Sequence, residues 1–567
     1  MNDKREILSG GDVVKRIATL DFIRGLCIMG MVALHIFGRV YDSSWIGTDQ
    51  MSDKSLLHIT GLLSLAYIGG MAGLFLMVSS TSHTLSIHGQ LKKGGKLENV
   101  MKRQLAVGLL LLLFAFLAES TIGHHGFLGR MAYSDIHSGA SMMEAASTHS
   151  ARILYRGFHF MTLHTIAWCI IINSFIQFFM YRNGGVDKVA RNVKVYIGLS
   201  IMTILLTPLM WWVAGQVVPG YPFATYPGTD LMVQYPLAGH SGVLDYVKLF
   251  FLGPLAGQTE PLFPFLFISF IGAIIGIYLS MDRPPRLLPH KGMMIGGIMF
   301  LLGVASIAFM WLTGIDSVQN LIENTYQLLK LRIWFPLLLL TTGGQIVFLM
   351  MTLRIVEYRG IGAAFASRMT FFRRFGIVSL TIYTFQYLDV IPLSIISLFP
   401  GINVLTGKEG LFWSVLAVVG SILTWHLVLV FWERKDFKGS AEWSFAVVLT
   451  QFYRLFSRKR TVDALKWHEV PKMKLVSDVN RVEWLSVVPK NPKGLDRFRD
   501  SIFSIYLAFI GLIIFPLSLL AHSIAKRARE TEGDNKFNRI SLKVSRWGLA
   551  WGSFAAFWMS QIKGISL

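Results

Sequence analysis

The feature that most constrains this chain is a series of apolar blocks, each close to the length of a bilayer-crossing helix. They fall at residues 18–38, 60–82, 104–121, 158–181, 195–217, 261–280, 293–314, 333–353, 375–396 and 411–432. A helix needs about 20 predominantly apolar residues to cross a hydrocarbon core of about 30 Å. A membrane β-barrel would instead alternate polar and apolar residues along short segments. These blocks are continuous, so they predict an all-α, polytopic transmembrane helical bundle with a ten-helix core. Hydrophobic residues make up 53% of the 567, above the roughly 45–50% of soluble domains.

The loops orient the spans, because cytoplasmic loops carry the excess of Lys and Arg. Lys4, Arg5, Lys15 and Arg16 precede the first block. Residues 89–103 bring Lys92, Lys93, Lys96, Lys102 and Arg103, and 182–194, 282–291 and 354–374 are basic as well. The loop 218–243 has no Lys or Arg. This alternation predicts a cytoplasmic N-terminus and a chain that returns to the cytoplasm at Glu433. The formal charge of +21 then belongs mainly to inner loops. It suits anionic lipid head groups or an anionic cosubstrate. No segment carries the motif of a nucleic-acid module, so no nucleic-acid partner is expected.

Three regions follow: a cytoplasmic segment at 1–16, the ten-helix domain at 17–455, and a basic cytoplasmic segment at 456–567 with one or two additional apolar helices. In that tail, WHEVPKMKLV (467–476) and NRVEWLSVVP (480–489) read as short strands or amphipathic pieces, and 502–524 and 547–562 as candidate further spans. Cys27 and Cys169 both fall in apolar blocks and read as small core residues, so no disulfide framework is expected. The polar loop 122–157 holds His124, His125, His137 and His149. It lacks HxH or HExxH spacing, so it reads as a solvated or substrate-lining loop, and no metal is expected.

The first block carries chemistry. LDFIRGLCIMGMVALH (20–35) contains Asp21, Arg24 and His35, and ionisable groups inside a spanning helix are costly and functional by default. Arg24 and His35 are eleven residues apart, three turns with roughly 20° of drift, and Asp21 lies about 40° from His35. All three share one stripe, with His35 some ~16 Å deeper than Arg24. That is an anchoring charge at the membrane surface with a titratable group well inside. His35 alone also fits a helix-packing hydrogen bond.

The LDxxRG stretch, with a His eleven residues beyond the Arg, resembles the membrane acyltransferase superfamily, where this pattern in the first helix marks the acyltransferase-3 group. GLFLMVSSTSHTLSI (73–87), KRQLAVGLLLLLFAFL (102–117), RFGIVSLTIYTFQYL (374–388) and WERKDFKGSAEW (432–443) are similar, in order, to stretches of the group that includes heparan-alpha-glucosaminide N-acetyltransferase and its prokaryotic relatives. Together they cover roughly residues 17–455. Val78 stands where that group has Gly, Ile382 where it has Asn, and Ser440 where it has Pro. Tyr67 and Met71 occupy the region where the sugar-acetylating branch carries Asp and Pro, so the acceptor of that branch does not carry over.

The resemblance implies an integral membrane acyltransferase in the cell envelope, at the plasma membrane. It would move an acyl group, acetyl in the family, from acyl-CoA to a sugar or lipid-linked acceptor. The expected partners are acyl-CoA as cosubstrate, membrane lipid, a glycan or lipid-linked acceptor and a second copy of the chain. Arg24 would bind CoA phosphate in a bidentate fork, with Asp21 holding the guanidinium. His35 would act as general base on the acceptor or carry the acyl group transiently. Arg103 is a positive-inside anchor or a second phosphate contact. His164 is a candidate acceptor contact or a packed His. Gln386 touches substrate or bonds a neighbouring helix, and Ser79 and Ser80 are ligands or packing residues. His426 and Glu442 read as structural, Glu442 as a helix cap. The competing function is a transporter or flippase whose pathway the polar stripe would line. Such proteins are often built from paired repeats with broken helices, and no internal repeat is visible.

Overall fold

The computed structural model describes residues 15–45, 58, 61–62, 67, 72–138, 153, 157, 160–217, 242–256, 260–313, 334–405, 408–456, 482–488, 497–512 and 515–562. Among these residues the regular structure is helical, with isolated bridges at Arg16–Trp484 and Tyr41–Glu409. His149 and WHEVPKMKLV lie outside the described residues. The chain forms two compact units, Met1–Gly47 with Leu65–Val487, and Thr48–Ser64 with Val488–Leu567.

The first unit contains sixteen helices among the described residues. They are α1 (Ala18–Val40), α2 (Ala72–Lys92), α3 (Leu97–Leu117), α4 (Phe127–Ser138), α5 (Thr162–Tyr181), α6 (Val189–Val217), α7 (Val243–Ala256) and α8 (Leu262–Leu279). Next come α9 (Leu288–Leu312), α10 (Trp334–Val356), α11 (Gly362–Arg368), α12 (Thr370–Ile377), α13 (Ser379–Thr384), α14 (Val390–Ile396), α15 (Leu411–Glu433) and α16 (Ala441–Phe456). Eight of these, α1, α3, α5, α6, α8, α9, α10 and α15, are long and apolar enough to cross a membrane. Large side chains such as Leu205, Leu301 and Leu427 stand outward from them, as in helices that are apolar all round and bathed in lipid. The chain is an integral membrane protein of the helical class.

The other two expected spans take a different form, for a physical reason in each case. Within block 60–82, α2 is described from Ala72 and is too polar over that stretch to rank with the eight. Its run SSTSHT (79–84) is largely bonded inside the bundle rather than presented to lipid. Block 375–396 is broken into α12, α13, a 3₁₀ turn at Gln386–Asp389 and α14. Helical geometry fails at Val378 (φ −116°, ψ 38°) and Phe385 (φ −97°, ψ 24°).

Close helix approach is set by small residues. A Cβ on Gly272 would lie 2.4 Å from the Met77 carbonyl oxygen, and one on Gly276 2.9 Å from that of Thr81. This small-xxx-small pair lets α8 lie against the backbone of α2. Buried polar groups complete that layer: Ser80 bonds Ser269 at 2.6 Å, Asn173 donates to Ser269 at 2.9 Å, and Gln177 donates to Thr84 at 3.0 Å.

Two apolar cores meet along α1. Leu20 and Ile23 pack in the core built by α2, α3, α5, α8 and α10. Ile28, Val32, Ile36 and Val40 pack in the core built by α12 to α15. The first helix is therefore the shared wall between the two halves of the unit.

Segment 482–487 runs beside Arg16 and Glu357, with a bridge at Arg16–Trp484. Leu485 N–H donates to Arg16, Arg16 N–H donates to Glu483, and Val487 N–H donates to Glu357, each at 2.9 Å. This part of the tail belongs to the first unit.

The second unit holds α17 (Arg499–Ile510), α18 (Phe515–Glu532) and α19 (Lys536–Ile562). The expected span 502–524 is thus divided between two helices that fold back on each other. The Glu532 carboxylate at the end of α18 accepts the Asp500 and Ser501 N–H groups at the start of α17, at 2.7 and 3.0 Å. Block 547–562 forms the second half of α19.

Candidate functional site

The first helix is fixed at its start. Glu357 accepts the Thr19 N–H at 3.0 Å and the Thr19 hydroxyl at 2.6 Å, serving as an N-cap from a distant part of the chain. Gly25 then allows α12 to touch it: a Cβ there would stand 1.8 Å from the Phe372 carbonyl oxygen. The glycine of LDFIRG is a contact with the glycine of RFG, since a Cβ on Gly376 would lie 2.9 Å from the Gly25 nitrogen.

The ion-pair partners of Asp21 are Arg16 and Arg373 rather than Arg24. Its carboxylate accepts from Arg16 Nε at 2.7 Å and lies 3.8 Å from the Nε of buried Arg373. Both guanidiniums lie over the Trp484 ring, at 5.7 and 5.4 Å from its centroid. Asp21 is a structural charge that ties α1 to α12 and to the segment 482–487.

Arg24 turns to α2. Its Nη2 donates to Ser82 at 3.1 Å. Between Gly73 and Gly89, the residues of α2 that are not buried are Phe75, Ser79, Ser82 and Ser86, at intervals of four, three and four. That spacing is one helical stripe. It continues to Gln90, whose Nε2 donates to Ser86 Oγ at 3.1 Å and whose Oε1 accepts from Arg103 at 3.3 Å. Arg24 and Arg103 thus reach one polar stripe on α2 from neighbouring helices, their contact points about 12 Å apart along its axis. Ser79 lies in this stripe one turn before Ser82. Ser80 is on the buried face and is a packing residue.

His35 occupies the other end of α1. Its Nδ1 is 2.7 Å from Gln386 Oε1; an amide oxygen only accepts, so in this amide orientation Nδ1 is the donor. The His124 ring stacks on it at 5.7 Å with an interplanar angle of 18°, and His125 meets it edge-on at 6.4 Å. The turn GHHG (123–126) brings these rings over. A Cβ on Gly126 would lie 2.7 Å from the Ala118 carbonyl oxygen, and one on Gly129 2.2 Å from that of His124, so the turn is closed by glycine.

A further carboxylate belongs to this group, and no spacing in the sequence pointed to it. After α3 the backbone widens into a π-helical turn, Ala118–Ile122, a form common at functional sites. It carries buried Glu119, which accepts the Tyr383 hydroxyl at 3.2 Å. Glu119 Oε2 and Gln386 Nε2 are buried without a hydrogen-bond partner. Tyr383 and Gln386 are three residues apart on the broken segment, one joined to Glu119 and the other to His35.

Glu442 holds that segment. Its carboxylate accepts the Leu380 N–H at 2.5 Å, the Thr381 N–H at 3.3 Å and the Thr381 hydroxyl at 2.6 Å. The expected cap is thus real, but it serves α13 rather than its own helix. This joins the two late motifs, LTIY and SAEW, into one structure.

His164 stands apart from the His35 group. It closes the first turn of α5, where its Nδ1 accepts the Met161 N–H at 3.4 Å. It lines an apolar cavity of about 320 Å³ with Leu109, Phe116, Phe160, Trp168 and Phe250. His426 packs on Phe371 at 4.7 Å. Among the described residues, no group of three or more His, Cys, Asp or Glu is arranged to hold a metal ion.

The arrangement therefore has two polar groups along α1: Arg24, which with Arg103 of α3 reaches the stripe on α2, and His35, which meets Gln386, His124 and His125, with the Tyr383–Glu119 pair joined to the same broken segment as Gln386. No protein-family model matches the chain and no curated protein does, so function has to be read from these residues.

Proposed function

We propose that the chain is a membrane-embedded acyltransferase that moves an acyl group from a CoA thioester to a hydroxyl or amine on a sugar or lipid-linked acceptor. In this reading the ten spans are the eight apolar helices, α2 and the broken segment 370–396. The Arg24 end faces the cytoplasm, as the basic loops indicate, and the membrane is the plasma membrane. The observation that carries the proposal is the His35–Gln386 contact of 2.7 Å, set three turns along the helix from a paired cationic end.

The chemistry follows from that contact. With Nδ1–H donated to Gln386, the lone pair of His35 lies on Nε2. Nε2 takes the proton of the acceptor O–H or N–H as the acceptor atom attacks the thioester carbonyl. The tetrahedral centre collapses, the C–S bond breaks, and the imidazolium returns the proton to the thiolate. Alternatively, Nε2 attacks the thioester carbonyl, the C–S bond breaks and CoA leaves as the thiol with the Nδ1 proton; the acceptor atom then takes the acyl group from the acyl-imidazole and its proton returns to the ring. Arg24 and Arg103 would bind the anionic phosphates of CoA, with the Ser79–Ser82–Ser86 stripe beside the thioester arm.

One observation favours the transporter reading, the discontinuous helix at 370–396, since broken helices build substrate sites in transporters. Purified protein with labelled acetyl-CoA and a panel of glycans and lipids separates the two. Transfer that is lost in His35→Ala supports the enzyme, and acid quenching followed by mass spectrometry of the 18–40 region reports an acyl-histidine. CoA-independent solute movement in proteoliposomes, with no transfer to any acceptor, would replace the proposal with the transporter.

A further inference from the structure

The second unit buries many small residues where its helices meet: Ser501, Ser504 and Ala508 on α17, Ser518, Ala521 and Ala525 on α18, and Ser541, Ser545 and Gly548 on α19, with Phe503, Leu507 and Ile524 buried among them. Other large apolar side chains stand outside, with Trp547 68%, Trp551 59% and Leu519 55% exposed. Small residues at helix contacts with large apolar ones outward is the pattern of helices packed in lipid.

The unit is also segregated along its axis. At one end, Gly511, Ser518 and Gly548 are in contact, and around them stand Tyr506, Phe509, Leu519, Trp547 and Trp551. From Ile502 to Ala521 the chain carries no charge. His522 and Ser545, 3.2 Å apart, mark the middle. At or beyond that contact lie Lys526, Arg527, Lys536, Lys543 and Arg546. Of the acids at that end, Glu532 caps α17, Asp534 pairs with Arg529 and Arg539, and Glu530 stands exposed against five outward cations. The outward cations are therefore in excess there.

We infer that this unit is a membrane anchor, its Gly511 end and the second half of α19 seated in hydrocarbon and its basic end on anionic lipid head groups. The lengths fit. Helix α17 has 12 residues, about 18 Å at 1.5 Å per residue, against about 15 Å for half of the hydrocarbon core, and α19 continues from Gly548 to Ile562, about 21 Å further. The aromatic rings fit as well, since Trp favours the interface where acyl chains meet head groups. Lys and Arg bind anionic leaflets electrostatically.

The test uses the full chain in a Cys27→Ala, Cys169→Ala background, with single cysteines at Leu512, Trp547 or Glu530 carrying a nitroxide label. Leu512, Trp547 and Glu530 are exposed, so labels there leave the packing intact. The protein is placed in phosphatidylcholine nanodiscs with and without phosphatidylglycerol, and collisions with oxygen and with a water-soluble nickel chelate are read. The labels at Leu512 and Trp547 should be reached by oxygen and shielded from nickel, and the label at Glu530 the reverse. Lys543→Glu with Arg546→Glu, or high salt, should reduce the shielding at Leu512 in the anionic discs. Nickel access at Leu512 equal to that at Glu530 in both lipids would overturn the anchor. Shielding of Leu512 from both reagents would also overturn it, because the tip would then be covered by protein. Shielding that the charge reversal leaves unchanged in anionic discs would overturn the head-group contact.

Discussion

Gly25→Ala tests how α1 and the broken segment are held in register. The added Cβ would lie 1.8 Å from the Phe372 carbonyl oxygen, whereas carbon–oxygen contacts close no further than about 3.3 Å. The two helices must part by about 1.5 Å at that crossing, because the obstacle is backbone and has no rotamer to change. Overpacking of this kind costs about 1–3 kcal/mol, set against a gain of up to about 1 kcal/mol from replacing glycine inside a helix. The His35–Gln386 bond at 2.7 Å joins the same two elements further on. A shift of that size exceeds the range over which such a bond survives. Displacement by about 1 Å can lower a catalysed rate about 10²-fold. Gly198→Ala is the internal control, since nothing lies within 4 Å of its added Cβ. Thermal melting in detergent followed by tryptophan fluorescence, together with acyl transfer, reads both variants. Gly25→Ala should melt lower and lose transfer, while Gly198→Ala should melt at or above the parent and keep it. A Gly25→Ala protein with unchanged melting and full transfer would refute the close-contact argument.

Gln386→Leu removes the acceptor that fixes the His35 tautomer, so transfer should fall about 10²-fold or more with little change in melting; a variant as active as the parent would remove Gln386 from the site. Arg24→Ala should raise the KM for acyl-CoA about tenfold or more, the worth of a charged hydrogen bond of roughly 1.5–3 kcal/mol, with kcat less affected. Asp21→Asn should instead lower the melting temperature and leave that KM unchanged, because its partners are Arg16 and Arg373; equal KM effects in the two variants would return Asp21 to the binding site. Glu442→Ala leaves two N–H groups of α13 uncapped and should cost about 1–3 kcal/mol of stability, seen as a lower melting temperature, with transfer falling as Tyr383 and Gln386 shift.

Periodicity and charge spacing along a single helix are local properties, and the sequence carried those faithfully. The stripe of Arg24 and His35 on α1 and the apolar blocks were readable because each depends only on residues within one element. Partners were not readable. Asp21 sits one turn from Arg24, yet it pairs with Arg16 at 2.7 Å and lies 3.8 Å from Arg373, 352 positions away, because the close crossing at Gly25 brings α12 alongside. Glu119 gave no signal, since its approach to Tyr383 depends on the π-helical turn that redirects it. His124 and His125 read as loop histidines until the glycine-closed turn carried them over His35. Block 375–396 has a span's hydropathy but not its continuity, because Glu442 supplies hydrogen bonds that make a new helix start cheaper than an unbroken one.

By itself, the sequence determined that this chain resides in a membrane as helices, and which residues on the first helix are too costly there to be incidental. Both follow from transfer free energies and helix geometry, which need no neighbours. Tertiary structure decided which of those charges is engaged and which faces the open stripe of α2. It also decided that His35 is met by Gln386 and two further histidines, and that Tyr383 is joined to Glu119. Those outcomes depend on backbone approaches at Gly25, Gly126 and Gly272 and on caps donated across hundreds of residues, and sequence spacing does not encode contacts of that kind.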